Sequence, residues 1–290
     1  MTDQMGAASN PVSIKWPKEW SLPFIFSSPH SGRHYPQDFI NNSQLEFSAL
    51  RQSEDFLVDE LFSAVPSFGA PILCAQFPRA YCDVNREAFE LDPNMFTTPL
   101  PKYVSTISSR LSSGIGTIPK VVGAGQEIYA KKLDFEEIRN RIDECYFPYH
   151  HALRQLISDG LKRFGVIYLI DCHSMPAVRP GARFGNKRPE IILGNRYGTS
   201  CESAFFYRSL DHFESFGYRV GHNSPYAGGF ITTHYGKPDK NVHALQIEIS
   251  RELYMDQKTL TPNEGFENLR NNLSRYVGEL GMYDSSLLIA

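Results

Sequence analysis

Two histidines, His30 and His173, each follow a short apolar stretch of the chain and precede small residues. Residues 24–28 read Phe-Ile-Phe-Ser-Ser, and residues 166–170 read Val-Ile-Tyr-Leu-Ile. Runs of this length that are rich in β-branched and aromatic residues predict buried strands. Because ligands of open α/β sheets bind beyond the carboxyl ends of the strands, we expect both imidazoles to lie at one site.

Three carboxylates are candidates to complete such a site. Glu54 and Asp55 begin a segment, residues 53–62, whose apolar spacing predicts a helix. Acids in a first helical turn can also serve only to complement the helix dipole. Glu248 stands between isoleucines in an alternating strand pattern over residues 242–249. In that apolar frame it is either a structural acid with a partner or a general base with a raised pKa.

This combination of residue types is suited to zinc-dependent hydrolysis. Two histidines and one carboxylate are a ligand set of catalytic zinc sites, which keep an open position for water. Zinc lowers the pKa of that water towards about 7, and a separate carboxylate then takes the proton and delivers it to the leaving amine. We expect His30, His173 and either Glu54 or Asp55 to hold one Zn²⁺ or another divalent metal per chain. Glu248 is the predicted catalytic base for cleavage of an amide bond.

Further polar residues are candidates for binding the substrate. Asn85 and Arg86 stand side by side, and arginine offers a bidentate fork to a carboxylate. A surface ion pair is the competing interpretation of these two residues. Arg79 is a further candidate in the same segment. Arg183 lies in a basic loop and could bind an anionic substrate, although an ordinary solvated loop is the competing interpretation. His234 lies in a glycine-rich stretch that could shape a binding site, although a plain hairpin is the competing interpretation.

The remaining periodicities predict an alternation of helices and strands that fits an α/β sheet. A long helical pattern over residues 134–164 contains Pro148, where we expect a kink or break. Further helices are predicted over residues 201–216 and 263–281, and further strands over 70–76, 78–86, 190–194 and 218–222. Residues 87–133 are irregular, and such a long stretch is typical of a wall or cover over a site.

Composition limits the class of protein. The 290 residues are 41% hydrophobic and carry a net charge of −3 without a run of like charges, which argues against nucleic acid or a membrane surface as partner. We expect a small-molecule partner and a single α/β domain over residues 21–290, after a loosely ordered segment over residues 1–20. The five cysteines show no CxxC pair and are predicted to be buried hydrophobes. The start lacks a signal-like pattern, so we expect a cytoplasmic protein of undetermined oligomeric state.

Five ordered motifs resemble those of the N-formylglutamate amidohydrolases, also called N-formylglutamate deformylases, over about residues 22 to 280. They are Ser-Pro-His-Ser-Gly at 28–32, Asp-Val-Asn-Arg at 83–86, Asp-Cys-His-Ser at 171–174, Pro-Tyr-Ala-Gly-Gly-Phe-Ile-Thr-Thr-His-Tyr-Gly at 225–236 and Gln-Ile-Glu-Ile-Ser-Arg at 246–251. The resemblance implies a three-layer α/β/α sandwich with a mixed, mostly parallel sheet, like the zinc carboxypeptidases and related phosphorylase/hydrolase-like folds. The carboxypeptidases use an Asp-Leu-Asn-Arg segment to grip a carboxylate, which supports the same use of Asn85 and Arg86.

The resemblance also implies an activity. It predicts a zinc-dependent deformylase of histidine breakdown, which converts N-formyl-L-glutamate to formate and L-glutamate. The segment that follows Glu54 reads Asp-Phe-Leu-Val-Asp, without the Trp-His of dedicated deformylases, so the acyl group and the amino acid stay open. A zinc amidase for another N-acyl amino acid or peptide and a non-catalytic ligand-binding relative are the alternatives. A neighbouring subgroup pattern favours Asp55 as the metal ligand, whereas related zinc amidases favour Glu54.

Overall fold

The structure is a computed structural model that describes residues 10–123, 125–177 and 188–282. The strands are β1 Val12–Lys15, β2 Phe24–Ser28, β3 Ile72–Ala75, β4 Val121–Val122, β5 Gln126–Glu127, β6 Ile167–Met175, β7 Ile191–Gly194, β8 Val220–His222, β9 Val242–Ser250, β10 Met255–Asp256 and β11 Thr261–Pro262. The helices are α1 Gln37–Asn42, α2 Phe47–Leu50, α3 Val58–Leu61, α4 Ser109–Ser112, α5 Phe135–Arg141, α6 Phe147–Phe164, α7 Ser203–Ser215, α8 Phe230–Tyr235 and α9 Phe266–Leu280.

Seven of the strands in the described ranges form one mixed sheet in the order β1-β3-β2-β6-β9-β7-β8. β3, β2, β6 and β9 run parallel to one another, and β7 and β8 run parallel to each other. β1 pairs antiparallel with β3, and β7 pairs antiparallel with β9. The predicted mixed, mostly parallel sheet is confirmed, and β2, β6 and β9 end side by side at its carboxyl edge.

Both faces of the sheet are covered, which gives the predicted three layers. Along β6, Leu169 packs into a core with α5 and α6, while Tyr168 and Ile170 pack into a second core with α3, α7 and α9. This alternation follows from the two-residue period of a strand. Because each face carries helices, the central strands are buried on both sides and read as apolar runs in the sequence.

The long helical pattern over residues 134–164 is interrupted where proline predicts it. Asp134 caps α5 through the backbone N–H groups of Glu136 and Glu137, and Gly165 ends α6 in the left-handed conformation. Between α5 and α6, residues Ile142–Tyr146 form a π-helical turn just before Pro148. Proline lacks a backbone N–H and its ring crowds the carbonyl four residues earlier, so a wider turn accommodates it.

Three sequence-based assignments of structure were wrong. Val12–Lys15 is an edge strand rather than part of a loose segment, because its backbone pairs with β3 although its side chains are only half-buried. Residues 78–86 form turns and no strand: the N–H groups of Tyr81 and Cys82 donate to the carbonyl of Pro78, and the N–H of Asn85 donates to the side chain of Asp83. In the segment 53–62 the helix covers only Val58–Leu61, because Glu54 is extended and Leu57 adopts the left-handed conformation.

The cysteines lie in the interior of the fold. All five cysteines are buried and free, as predicted, and burial raises the pKa of the Cys74 thiol to about 12, so it stays protonated at neutral pH. Among the helices in the described residues, none combines the length and the apolar character needed to cross a membrane.

Candidate metal centre and catalytic cavity

His30 and His173 meet at the carboxyl edge of the sheet. β2 and β6 are parallel neighbours, so the turn after β2 brings His30 beside His173, and the ring centroids lie 4.9 Å apart. Asp55 completes the group: its Oδ2 lies 3.3 Å from Nδ1 of His30 and 2.9 Å from Nδ1 of His173. Ligand atoms of the three residues all lie within 4.8 Å of one another, and the three side chains are buried. His173 lies inside β6 rather than after it, since this strand extends to Met175.

Each imidazole is oriented by a second carboxylate on its other nitrogen. Nε2 of His30 lies 2.8 Å from Oδ1 of Asp83, and Nε2 of His173 lies 2.9 Å from Oδ2 of Asp171. A carboxylate only accepts, so in both rings Nε2 donates and Nδ1 faces Asp55. Histidine ligands of metals are oriented in this way, with the distal N–H bonded to a carboxylate.

The donor set fits a divalent cation. Nδ1 of His30 is buried and has no hydrogen-bond partner although it faces a carboxylate oxygen. Leaving a buried polar atom unpaired is unfavourable for folding, so the atom is a candidate ligand for a cation. Burial alone would lower the pKa of His173 and raise that of Asp55. The Asp171 and Asp55 carboxylates instead hold the pKa of His173 well above its usual value, and the two histidines hold that of Asp55 well below. A metal ion would therefore displace a proton from His173.

The two neighbouring acids have different surroundings. Oε1 of Glu54 accepts hydrogen bonds from Tyr35 at 2.7 Å and from Nε of Arg51 at 2.9 Å, and its Oε2 accepts from Nη2 of Arg51 at 3.1 Å. Both oxygens of Glu54 are thus occupied away from the histidines. Asp55 is the acid whose oxygen faces both rings, so the group that could hold a metal is His30, Asp55 and His173.

Glu248 stands beside the histidines on the adjacent strand. It pairs in register with His173 across β6 and β9, and residues in register point to the same face of a parallel sheet. Burial, offset in part by His173, raises the pKa of Glu248 from 4.5 to about 7. Its Oε1 accepts from Nε2 of Gln246 at 2.7 Å, and Oε1 of Gln246 accepts from the N–H of Gly229 at 2.8 Å. The carboxyl is therefore held in place and can exchange a proton near neutral pH.

These groups line a cavity of about 580 Å³. The irregular segment 87–133 supplies part of its wall through residues between 110 and 123 and through Gly125, and residues 225–229 supply another part. The wall predicted for that irregular segment is therefore present. Cationic side chains that line the cavity are Arg79, Arg86, Arg110, Arg196 and Arg251.

The donors of Asn85 and Arg86 are already engaged by the protein. The side-chain oxygen of Asn85 accepts from the N–H of Ile231 at 2.8 Å, and its Nδ2 lies 3.5 Å from Oδ2 of Asp171. A Cβ on Gly229 would stand 2.4 Å from the Asn85 amide, so the second glycine of the pair lets the loop pack against it. Arg86 donates to two backbone carbonyls at 2.7 Å. Both residues line the cavity, but their hydrogen bonds stabilise its wall and do not leave them as free donors for a carboxylate clamp.

The other candidates for substrate binding have different locations. Arg79 lines the cavity and donates through Nε to Oδ2 of Asp83 at 2.9 Å. His234 is exposed on α8, where it stacks on Phe230, and it does not line the cavity, because the buried side of this short helix is formed by other residues. Arg183 lies outside the described residues.

Asp83, Asp171 and Arg251 were not predicted as site residues. Asp171 precedes His173 by two positions, a spacing that puts both side chains on one face of a strand and could have indicated the pair. Asp83 belongs to the Asp-Val-Asn-Arg motif, but its contact with His30 joins segments that the sequence does not relate. Arg251 reaches the loop of Asp55 from the end of β9, and no local pattern in the sequence indicates that contact.

The sequence profile of the N-formylglutamate amidohydrolase family matches residues 22–255. The chain belongs to this family. The N-formylglutamate deformylase of Pseudomonas putida is 27% identical to this chain over 239 residues, which cover 81% of this chain and 83% of that protein. The N-formylglutamate deformylase of Pseudomonas aeruginosa is also 27% identical, over 83% of this chain and 85% of that protein. The chain is thus related to hydrolases of amide bonds.

Solved structures agree with the family membership. The N-formylglutamate amidohydrolase of Ralstonia eutropha superposes with a TM-score of 0.88 at 34% identity, over 95% of this chain and 98% of that chain. A protein of Agrobacterium tumefaciens superposes with a TM-score of 0.59 at 19% identity, over 97% of each chain, which shows a shared fold alone.

Proposed function

We propose that this protein is a zinc-dependent amidohydrolase that converts N-formyl-L-glutamate to formate and L-glutamate. The observation that carries the proposal is the buried Nδ1 of His30, which faces Asp55 without a hydrogen bond in the cavity that also holds Glu248. A cation-binding group and a carboxyl that titrates near neutral pH are the two components that metal-assisted amide hydrolysis requires. Relatives named N-formylglutamate deformylase support the choice of substrate.

His30 and His173 would hold the metal through Nδ1, and Asp55 would hold it through Oδ2. Two imidazoles and one carboxylate are a ligand set that zinc takes in catalytic sites. Zinc supplies Lewis acidity there, which lowers the pKa of a water that it holds and polarises a carbonyl. Asp83 and Asp171 keep the rings in the tautomer that presents Nδ1.

Glu248 is the proposed proton carrier. A pKa of about 7 lets the carboxylate accept a proton from the attacking water and return it to the amine of the departing glutamate. The amide of Gln246 binds Oε1 of Glu248 and is itself fixed by Gly229, so the carboxyl keeps its direction towards the cavity.

The arginines of the cavity support a substrate with two carboxylates. Arg79 has one nitrogen on Asp83, and its remaining guanidinium nitrogens form no hydrogen bond with any residue that the structure describes. Arg196 donates to the carbonyl of Gly228 at 3.3 Å, and neither it nor Arg110 pairs with a carboxylate within the described ranges. Guanidinium groups bind carboxylates in bidentate fashion, so these three side chains suit the two carboxylates of N-formyl-L-glutamate.

Replacement of the proposed base tests the reaction. In Glu248→Gln we expect zinc to stay bound, since the residue is not a ligand, while turnover of N-formyl-L-glutamate falls by roughly 10²- to 10⁴-fold. Metal content is measured by elemental analysis and turnover by release of formate. Glu202→Gln is the matched control, because Glu202 is a partly buried acid that binds Tyr168 and does not line the cavity. Normal turnover in Glu248→Gln would remove Glu248 from the mechanism.

A comparison of substrates tests the choice of N-formyl-L-glutamate. We expect kcat/KM to be highest for this compound, lower for N-acetyl-L-glutamate and lower again for an N-formyl amino acid with an apolar side chain. A preference for another acyl group would indicate an amidase of the same mechanism and different substrate. Zinc binding without turnover of any of these amides would indicate a non-catalytic relative.

A further inference from the structure

Arg251 is a buried arginine that has no role in the proposed hydrolysis. It begins the 3₁₀ turn Arg251–Leu253 directly after β9. Nε donates to Oγ of Ser174 at 3.2 Å, Nη1 to the carbonyl of Gln52 at 2.9 Å, and Nη2 to the carbonyl of Glu54 at 2.6 Å. Nη2 also lies 3.4 Å from Oδ1 of Asp55. Each guanidinium nitrogen therefore has a partner, and these partners surround one metal ligand.

The loop that carries Asp55 has little regular structure of its own. The 3₁₀ turn Arg51–Ser53 ends just before it, and α3 begins only at Val58. The backbone N–H of Asp55 donates to the carbonyl of His30 at 3.0 Å, which ties one point of the loop to the site. The carbonyls of Gln52 and Glu54, which accept from Arg251, tie the loop to the end of β9 at two further points.

The two carboxylate oxygens of Asp55 have different partners. Oδ1 accepts from Oγ of Ser174 at 3.3 Å and faces Nη2 of Arg251, while Oδ2 faces the Nδ1 atoms of both histidines. A carboxylate engaged in this way offers one oxygen to a cation and keeps the other on the protein. The charge of Arg251 itself repels a cation, so any gain in metal affinity must come from geometry.

We propose that Arg251 is a positioning residue for the metal centre, which fixes Asp55 so that Oδ2 alone is presented between His30 and His173. The inference rests on the metal centre of the proposed function. Partners that orient a metal ligand change metal affinity by roughly 10- to 100-fold when they are removed. Loss of the fork that holds the Asp55 loop should therefore weaken the binding of Zn²⁺ even when the positive charge is kept.

The test uses Arg251→Lys, which keeps the charge and loses the bidentate fork. Zn²⁺ affinity of the full chain is measured after metal removal by competition with a chromophoric chelator, and thermal unfolding of the metal-free protein is measured alongside. We expect Zn²⁺ to bind roughly 10- to 100-fold more weakly than to the wild type. Ser174→Ala, which removes one link between Arg251 and Asp55, should weaken binding by a smaller factor.

Arg141→Lys is the matched control. Arg141 is also buried, donates to Tyr129 at 3.0 Å and to Glu137, and lies over the Tyr81 ring, but it does not line the cavity. We expect it to lower thermal stability without changing Zn²⁺ affinity. If Arg251→Lys behaves like this control, or if Ser174→Ala binds Zn²⁺ as the wild type does, the positioning role is wrong. A wild-type chain that fails to bind Zn²⁺ would instead contradict the proposed function.

Discussion

His30 and His173 are oriented by the same kind of contact, but the carboxylates that orient them are held by different means. Asp83, which binds His30, also meets Nε of Arg79 at 2.9 Å and Nη2 of Arg86 at 3.6 Å. Asp171, which binds His173, accepts from Oγ of Ser27 at 3.0 Å, and that hydroxyl meets the Tyr149 hydroxyl at 2.7 Å. Apart from the histidines themselves, two guanidinium groups compensate Asp83, whereas neutral hydroxyls hold Asp171.

The difference follows from where each carboxylate lies in the fold. Asp171 is inside β6, whose backbone is paired with β2 on one side and β9 on the other, so its position is set by the sheet. Asp83 lies in a segment of turns, where ion pairs with Arg79 and Arg86 hold its carboxylate in position. Burial would raise the pKa of Asp83, but Arg79, Arg86 and His30 hold it well below the usual range. The site thus has two halves. The strand-built half consists of Asp171 and His173, and the charged half consists of Asp83 and His30 together with Arg79 and Arg86.

The charged half should be the more sensitive to loss of its carboxylate. Asp83→Asn leaves the guanidinium groups of Arg79 and Arg86 without their shared anion, and breaking a buried ion pair costs about 3–5 kcal/mol. We expect the free energy of unfolding of the metal-free protein to fall by about that amount in urea. Asp171→Asn serves as the comparison and should be less destabilised. Equal losses in the two variants would contradict the distinction between the halves.

The carboxyl beside His173 should make stability depend on pH. Burial raises the pKa of Glu248 from 4.5 to about 7, so its protonated form stabilises the folded state below about pH 4.5, and this contribution is lost as the pH rises through about 7. In chelated protein, we expect wild type to lose roughly 2–3 kcal/mol relative to Glu248→Gln between those limits. Urea unfolding across that range measures the difference. Parallel stability curves for the two proteins would show that folding leaves this carboxyl with its ordinary pKa.

The strand-built half should respond mainly in metal affinity. Asp171→Asn removes the anion on Nε2 of His173 but leaves partners for the Ser27 hydroxyl, so we expect Zn²⁺ to bind roughly 10- to 100-fold more weakly. Chelator competition measures this loss. Retention of full Zn²⁺ affinity would mean that the sheet alone orients His173.

The smallest effect is expected at the end of the hydroxyl chain. Tyr149→Phe removes the hydroxyl that meets Ser27, which should lower the free energy of unfolding by about 1 kcal/mol. Zn²⁺ affinity should change by a few-fold at most, because Ser27 still donates to Asp171. Tyr276→Phe is the control, since that buried hydroxyl donates to Ser209 and neither residue lines the cavity. A loss of affinity as large as that of Asp171→Asn would show that the chain acts as one unit.

Much of the site could be predicted because it follows strands. The short apolar runs before His30 and His173 and the alternation around Glu248 are local signals, and parallel strands bring their carboxyl ends together. The break near Pro148 and the end of α6 at Gly165 are also local, since proline and glycine limit backbone conformation directly. These predictions needed no knowledge of contacts between distant segments.

The choice between Glu54 and Asp55 could not be made from the sequence. The two acids are adjacent and chemically alike, and only tertiary contacts separate them: Arg51 and Tyr35 bind Glu54, whereas the histidines face Asp55. Asn85 and Arg86 line the cavity, but backbone and side-chain groups of its wall occupy their hydrogen-bonding groups. Donor capacity can be read from residue type, and its availability depends on what folds around it.

The sequence by itself determined the buried central strands that precede His30 and carry His173 and Glu248, because hydrophobic periodicity indicates buried positions and parallel strands end at one edge of their sheet. Only the tertiary structure decided which acid faces the imidazoles, which carboxylate orients each ring and which arginines keep free donors. Those features depend on contacts between segments such as Arg251 and the Asp55 loop, whose residues are far apart along the chain. Local sequence patterns do not predict such contacts, because each charged side chain can form hydrogen bonds or ion pairs with many different partners.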